Sequence, residues 1–120
     1  MNRIIVCGTR DFNDSNLVYT TLDVVIRDNT NVEIISGMCR GADRIGEEYA
    51  KTRNIPLKVF PADWNKYGRA AGPIRNKQML DYALEESAVV VAFWDGKSRG
   101  TANMIRSAKN AGADVRVVYY

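Results

Sequence analysis

Ala88-Val89-Val90-Val91-Ala92-Phe93-Trp94, followed by Asp95-Gly96-Lys97-Ser98-Arg99-Gly100-Thr101, is the stretch whose reading decides the fold. The first part is apolar without alternation. A strand with one wet face alternates polar and apolar residues; an unbroken apolar strand is covered on both faces, as in a central strand of a parallel sheet between two helical layers. The second part changes character at once. An acid, two glycines and several basic or hydroxyl residues lead into an amphipathic helix from Gly100 to Ala111, which Gly112 stops. A glycine loop between a strand and a helix leaves backbone N–H groups pointing out of the helix N-terminus, where they can hold an anion such as phosphate.

The same unit recurs outward from this stretch. Arg3 to Cys7 reads as a first strand ended by Gly8, and Asp14 and Ser15 offer caps for a helix to about Asp28, with Leu17, Val18, Leu22, Val25 and Ile26 on one face. Val32 to Ser36 is the second strand. Gly37 to Gly41 is its loop, and a helix from Ala42 to Arg53 follows, with Ala42, Ile45, Tyr49 and Ala50 inward. Leu57 to Phe60 is a short third strand, and Pro61 to Gly72 reads as irregular, with Trp64 and Tyr67 inside it. Pro73 suits the first turn of a helix that continues to about Glu86, with Met79, Leu80, Ala83 and Leu84 apolar. Val115 to Tyr119 is the last strand, and Tyr119 and Tyr120 are expected at an edge or interface. Strict alternation of strand and helix predicts an α/β, three-layer, Rossmann-like fold with a five-stranded parallel sheet, order 3-2-1-4-5, in one domain over residues 1–120. Strands one and four are then neighbours at the switch point, and ligands are expected outside the carboxyl ends of the strands.

Composition narrows the function classes. The chain lacks histidine, so a histidine-based triad is excluded and no metal site is expected; no cofactor is expected either. Cys7 and Cys39 are too few for a disulfide framework and read as free thiols. No apolar run reaches the roughly 20 residues that span a bilayer, and Met1-Asn2-Arg3-Ile4-Ile5-Val6 reads as a strand rather than a signal peptide, so a cytoplasmic protein without a membrane partner is expected. The net charge of +3 is mild, yet Arg10, Arg40, Arg69, Arg75, Lys97 and Arg99 fall in or beside the expected loops, which favours an anionic ligand.

The candidate site gathers from these loops. Gly8, Thr9 and Arg10 follow strand one. Ser36, Gly37, Arg40, Gly41 and Asp43 surround the loop after strand two, where glycine permits either a plain tight turn or close ligand approach. Asp43 complements its helix dipole, accepts ribose hydroxyls, or orients Arg75. Arg75 and Asn76 lie in the opening turn after Pro73; Arg75 and Arg10 are anion clamps or ties between loops. Asp95, Ser98, Arg99, Gly100 and Thr101 form a phosphate cup or an ordinary helix cap. Trp64 and Tyr67 stack on a base, form a lid, or pack their own loop down.

Gly8-Thr9-Arg10-Asp11-Phe12, Ser36-Gly37 with Gly41-Ala42-Asp43, Pro61-Ala62-Asp63-Trp64, Tyr67-Gly68, Ala71-Gly72 with Arg75-Asn76, and Gly100-Thr101 together resemble the YspA group of the cpYpsA-related SLOG family over nearly the whole chain. The resemblance implies a Rossmann-like fold, a bacterial or phage setting, and binding, sensing or processing of nucleotide-derived ligands of the ADP-ribose type. The chain is more distantly similar to the Lonely Guy phosphoribohydrolases. Their glutamate stands three residues after a Gly-Thr pair, where this chain has Met104. It is also similar at Ser36-Gly37 to Asp43 and at Arg75-Asn76 to DNA-processing protein A, which binds single-stranded DNA. Relatives often assemble, so a homo-oligomer is expected.

Three readings follow. The first is a binding protein or sensor for a nucleotide or nucleotide-derived ligand. The second is an N-glycosidic hydrolase acting on a nucleotide, with Asp43 and Arg75 as catalytic candidates; Asp43, inside a helix N-terminus, is expected to have a lowered pKa. The third is a single-stranded nucleic-acid binder using the basic edge and Trp64 or Tyr67. Whether the protein turns a substrate over is left open by the sequence.

Overall fold

The computed structural model describes residues 1–27 and 31–120. Five parallel strands, β1 (Asn2–Gly8), β2 (Val32–Ser36), β3 (Leu57–Val59), β4 (Ser87–Trp94) and β5 (Asp114–Tyr119), lie in the order β3-β2-β1-β4-β5. This is the α/β Rossmann-like order expected from the alternation of elements. β1 and β4 pair along their whole common length, from Asn2 opposite Ser87 to Gly8 opposite Phe93. The chain leaves these two strands toward opposite sides, so the loops beyond their carboxyl ends part and open a crevice.

Strand alternation divides the core in two. Ile4 and Val6 of β1, with Ile34, Val91 and Phe93, pack against Val18 and Leu22 of α1 (Ser15–Ile26) and Ile45 and Tyr49 of α2 (Ala42–Thr52). Ile5 and Cys7, with Ile35, Val90 and Ala92, pack against a helix over Ala71–Leu84 and another over Arg99–Asn110. Each fully buried aliphatic or aromatic side chain contributes about 1.5–3 kcal/mol. Asp14 caps α1 by accepting the Leu17 N–H at 3.0 Å. Asp23 of α1 accepts the Tyr49 hydroxyl at 2.6 Å and Arg53 at 3.0 and 3.2 Å, which joins the two helices; the Arg53 hydrogen bond holds its carboxyl below the usual range.

The segment after β3 departs from the sequence reading. Pro61 to Gly72 is not wholly irregular: it holds α3 (Trp64–Tyr67) and a 3-10 turn (Gly68–Ala70), and the long helix that follows, α4 (Ala71–Leu84), starts before Pro73. Asp63 supplies the missing signal, because its carboxylate accepts the Lys66 N–H at 3.1 Å and starts the turn. α4 ends at Leu84 rather than Glu86, and Leu84 is exposed. The last helix, α5, covers Arg99–Asn110, with Gly112 at φ 82° beyond it. The expected end of the first helix at Asp28 lies outside the described residues. Among those residues, no helix is long and apolar enough to cross a membrane.

Gly46 sits inside α2, where alanine has the better helix propensity by about 1 kcal/mol. Yet a Cβ there would lie 2.9 Å from Cβ and Cγ1 of Val6. We therefore expect Gly46→Ala to lower stability by about 1–3 kcal/mol in denaturant melts, the usual cost of overpacking. Val6→Ala in the same chain should recover part of the loss, so the double variant falls short of the sum of the singles. A stabilised Gly46→Ala protein would refute the close helix–sheet contact.

Candidate functional site

Beyond the carboxyl ends of β1 and β4 lies a cleft of about 740 Å³. Its buried lining comes from Cys7, Asp43, Arg75, Asn76, Met79, Thr101 and Met104, and its exposed lining includes Arg10, Asp11, Trp64, Asp95, Lys97, Arg99 and Arg106. The buried part is therefore rich in sulfur and apolar surface, while the exposed part is mostly cationic.

Arg75 organises one side. It projects from the first turns of α4, and its guanidinium is buried. Nη1 donates to the Gly37 carbonyl at 2.6 Å, Nε to Asn76 Oδ1 at 3.1 Å, and Nη2 to the Cys39 sulfur at 3.5 Å. The side chain lies so close over Gly37 that a Cβ there would come within 2.6 Å of Nη1. Asn76 extends the chain of contacts through Nδ2, which donates to the Gly100 carbonyl at 3.3 Å and to Asn103 Oδ1 at 3.1 Å. Two adjacent residues of α4 thus hold the β2 loop in one direction and the start of α5 in the other.

The loop before α2 is held by the helix's own first-turn acid. Asp43 accepts the Cys39 N–H at 3.3 Å with Oδ2, and the Gly37 N–H also bonds to its carboxylate. Gly41, at φ 85°, packs against the first loop; a Cβ there would meet the Thr9 carbonyl oxygen at 2.5 Å. Both glycines of this loop therefore have internal reasons to be glycine. Ser36 is wholly buried and donates to Glu47 Oε2 at 2.7 Å. Burial pushes the Asp43 pKa up to about 6, against the opposing effects of the Cys39 N–H, the Arg75 charge and the Gly37 N–H. The lowered pKa expected from its helix position is corrected: desolvation outweighs the dipole. Burial likewise pushes the Cys7 thiol up, which leaves it unreactive.

The N-terminus of α5 differs. Its first turn carries no acidic residue. Ser98 is the cap, with Oγ 3.5 Å from the Thr101 nitrogen and 3.2 Å from the Thr101 hydroxyl. Asp95 turns inward: Oδ1 accepts the N–H groups of Lys97 at 2.8 Å and Ser98 at 2.9 Å, and these hold its pKa down. Thr9 Oγ1 accepts the Asp95 N–H at 3.2 Å, tying the β1 and β4 loops. Arg10, Lys97, Arg99 and Arg106 line the same cleft. Among the described residues none of the four has an ion-pair partner, whereas Arg3, Arg40, Arg44, Arg53, Lys77 and Arg116 each have one.

The cleft thus brings together Gly8, Thr9, Arg10, Asp43, Arg75, Asn76, Asp95, Ser98, Arg99, Gly100 and Thr101. Ser36, Gly37 and Gly41 stand behind it as supports, and Arg40 faces outward toward Asp11 at 3.5 Å. Cys7, Cys39, Gly72, Met79, Asn103, Met104 and Arg106 also line it, without having been singled out as ligand contacts from the sequence. A signal for two of them exists: Arg99, Asn103 and Arg106 recur at helical spacing on one face of α5. Among the described residues no group of acidic, cysteine or histidine side chains is placed to hold a metal ion.

Comparison with known proteins places the chain among relatives. The YAcAr family model, described as the YspA, cpYpsA-related SLOG family, matches residues 2–67. The Gene 61 protein of Mycobacterium phage D29 is 31% identical over 121 residues, covering 96% of this chain and 94% of that protein. The X-ray structure of DNA processing protein A (DprA) from Streptococcus pneumoniae shares the fold at a TM-score of 0.52 and 14% identity, over 95% of this chain; the chain spans 57% of that structure.

Asp43 gives the site a pH signature. A carboxyl whose pKa rises on folding from the ordinary value near 3.9 to about 6 binds its proton more tightly in the native state. Its contribution to stability is full below about pH 4 and is lost as pH rises to about 6, an effect of up to about 3 kcal/mol. Asp23 and Asp95, with lowered pKa values, act in the opposite sense, so the difference between wild type and Asp43→Asn isolates the effect. Denaturant melts from pH 4.5 to 7 should show wild type losing stability relative to Asp43→Asn as pH rises. Parallel curves would refute the raised pKa.

Proposed function

The chain belongs to the YspA, cpYpsA-related SLOG family, and from that premise we propose that its cleft binds a nucleotide or nucleotide-derived ligand of the ADP-ribose type. The observation that carries this reading is a set of four cations, Arg10, Lys97, Arg99 and Arg106, that have no ion-pair partner among the described residues and line one cleft with a helix N-terminus whose first turn carries no acidic residue. Backbone N–H groups of the first helical turn have no intrahelical acceptor, and guanidinium groups suit phosphate oxygens. The Ser98 and Thr101 hydroxyls add polar partners at the same place. The α2 terminus differs, because its first turn carries Asp43. In this reading Arg75 and Asn76 position the site, and the ligand's phosphate lies at Ser98 to Thr101.

A hydrolytic reading rests on a separate observation. Asp43 lines the cleft with a pKa of about 6, which suits proton transfer near neutral pH. Met104 stands where the similar phosphoribohydrolases have a glutamate, which leaves Asp43 and Asp95 as the motif carboxylates in the cleft, and of these Asp43 is the buried one. Nucleic-acid binding draws on the same cations and on the name of DNA processing protein A, whose fold is shared.

Calorimetry and thermal melting with ADP-ribose, AMP and a labelled single-stranded oligonucleotide separate these readings. ADP-ribose or AMP should raise the melting temperature. Arg99→Ala should weaken binding by about 1.5–3 kcal/mol, as for a hydrogen bond to a charged group, and Thr101→Val by about 1 kcal/mol. Oligonucleotide binding that collapses with salt and vanishes in Arg99→Ala/Arg106→Ala, with no response to the small ligands, would assign the site to nucleic acid. Release of free base from AMP that Asp43→Asn abolishes would make the protein an enzyme. We expect binding without such release.

A further inference from the structure

We infer that Trp64 determines the specificity of the cleft by stacking on the base of a nucleoside phosphate whose phosphate sits at the start of α5. The inference rests on the nucleotide reading above and concerns the half of the cleft that the cations leave unexplained. An inorganic anion would be served by the α5 terminus alone, yet the cleft occupies about 740 Å³. That volume is in the range of sites that enclose a small organic molecule, roughly 300–1,000 Å³.

Trp64 lines this cleft and is 48% exposed, so much of the ring stays open. Its position is nevertheless fixed. α3 is started by Asp63, whose carboxylate accepts the Lys66 N–H and whose carbonyl accepts the N–H groups of Lys66 and Tyr67 at 3.2 and 3.0 Å. Behind the indole lies Gly72, in the first turn of α4; the place a Cβ would take is 3.4 Å from the indole Cη2. Helix backbone without a side chain gives the ring a seat. The other clustered aromatics, such as Phe12 with Phe93 and Trp94 with Tyr119, have ring partners. Among the described residues Trp64 has neither a ring partner nor a cation over it. A preorganised ring with a free face loses little conformational entropy when a second planar group covers it, and base–aromatic stacking accepts any base.

The test begins with the unaltered protein. AMP should bind at least about tenfold more tightly than ribose 5-phosphate, the scale of one stacked base, and should quench tryptophan emission. Trp64→Ala should lower AMP affinity about tenfold and leave ribose 5-phosphate affinity unchanged, while Trp64→Phe should retain most of the AMP affinity. Equal affinities for AMP and ribose 5-phosphate in wild type, or undiminished AMP affinity in a folded Trp64→Ala protein, overturn the role of Trp64 and leave nucleotide binding standing. Failure of AMP, GMP, CMP, UMP and ADP-ribose alike to bind wild type overturns the nucleotide reading, and this inference with it. If Trp64→Ala does not fold, Trp64→Phe and the wild-type comparison decide between these outcomes.

Discussion

The contact between the Arg75 guanidinium and the Gly37 carbonyl is the constraint on which the cleft depends. It is a charge-assisted hydrogen bond at 2.6 Å in a buried setting, where an unpaired cation would be costly. It requires glycine at position 37, fixes the loop after β2, and turns Asn76 toward Gly100. Asp43 secures the same loop from the other side, its carboxylate accepting the Cys39 and Gly37 N–H groups. The loop is thus held between a carboxylate from α2 and a guanidinium from α4, and both groups are occupied by protein. This division of labour separates the supports of the site from the groups still available to a ligand.

Those available groups sit elsewhere. β2 and β4 each end in a glycine loop that leads into a long helix, and these two helix N-termini differ. That of α2 is neutralised by its own first-turn acid. That of α5 is capped by Ser98, has no acid in its first turn, and shares its cleft with four cations that have no ion-pair partner among the described residues. An anion there would gain from the aligned peptide dipoles and from side chains at once. Cys7, Met79 and Met104 supply the apolar part of the buried lining, beside Asp43 and Arg75.

The fold was legible because its signals are local and strong. The unbroken run from Ala88 to Trp94 marks a strand buried twice over, and glycine closes the first two strands at Gly8 and Gly37. The short α3 was not legible, since a four-residue helix has no periodicity and rests on one cap at Asp63. At the site, loop residues announced themselves by type, but their tasks did not. Glycine needed for an arginine's approach looks the same in sequence as glycine needed for a phosphate. Asp43 looked like a dipole partner of low pKa because its position in the helix can be read and its burial cannot. Met79 and Met104 were hidden for a related reason: an apolar helical face reads as core, and only the packing shows that part of the core lines a cleft.

The ties that shape the cleft join residues far apart in the chain. Thr9 meets Asp95 across 86 positions, Gly37 meets Arg75 across 38, and Asn76 meets Gly100 across 24. Parallel strands joined by crossovers close such long loops late, after much of the chain's entropy has been lost. A segment that contains all of these ties must run from Thr9 to Gly100, so no early folding intermediate built from neighbouring elements can present the finished cleft. Competence for binding therefore arrives together with the completed sheet, and a ligand that occupies the cleft opposes unfolding of the whole domain rather than of one loop.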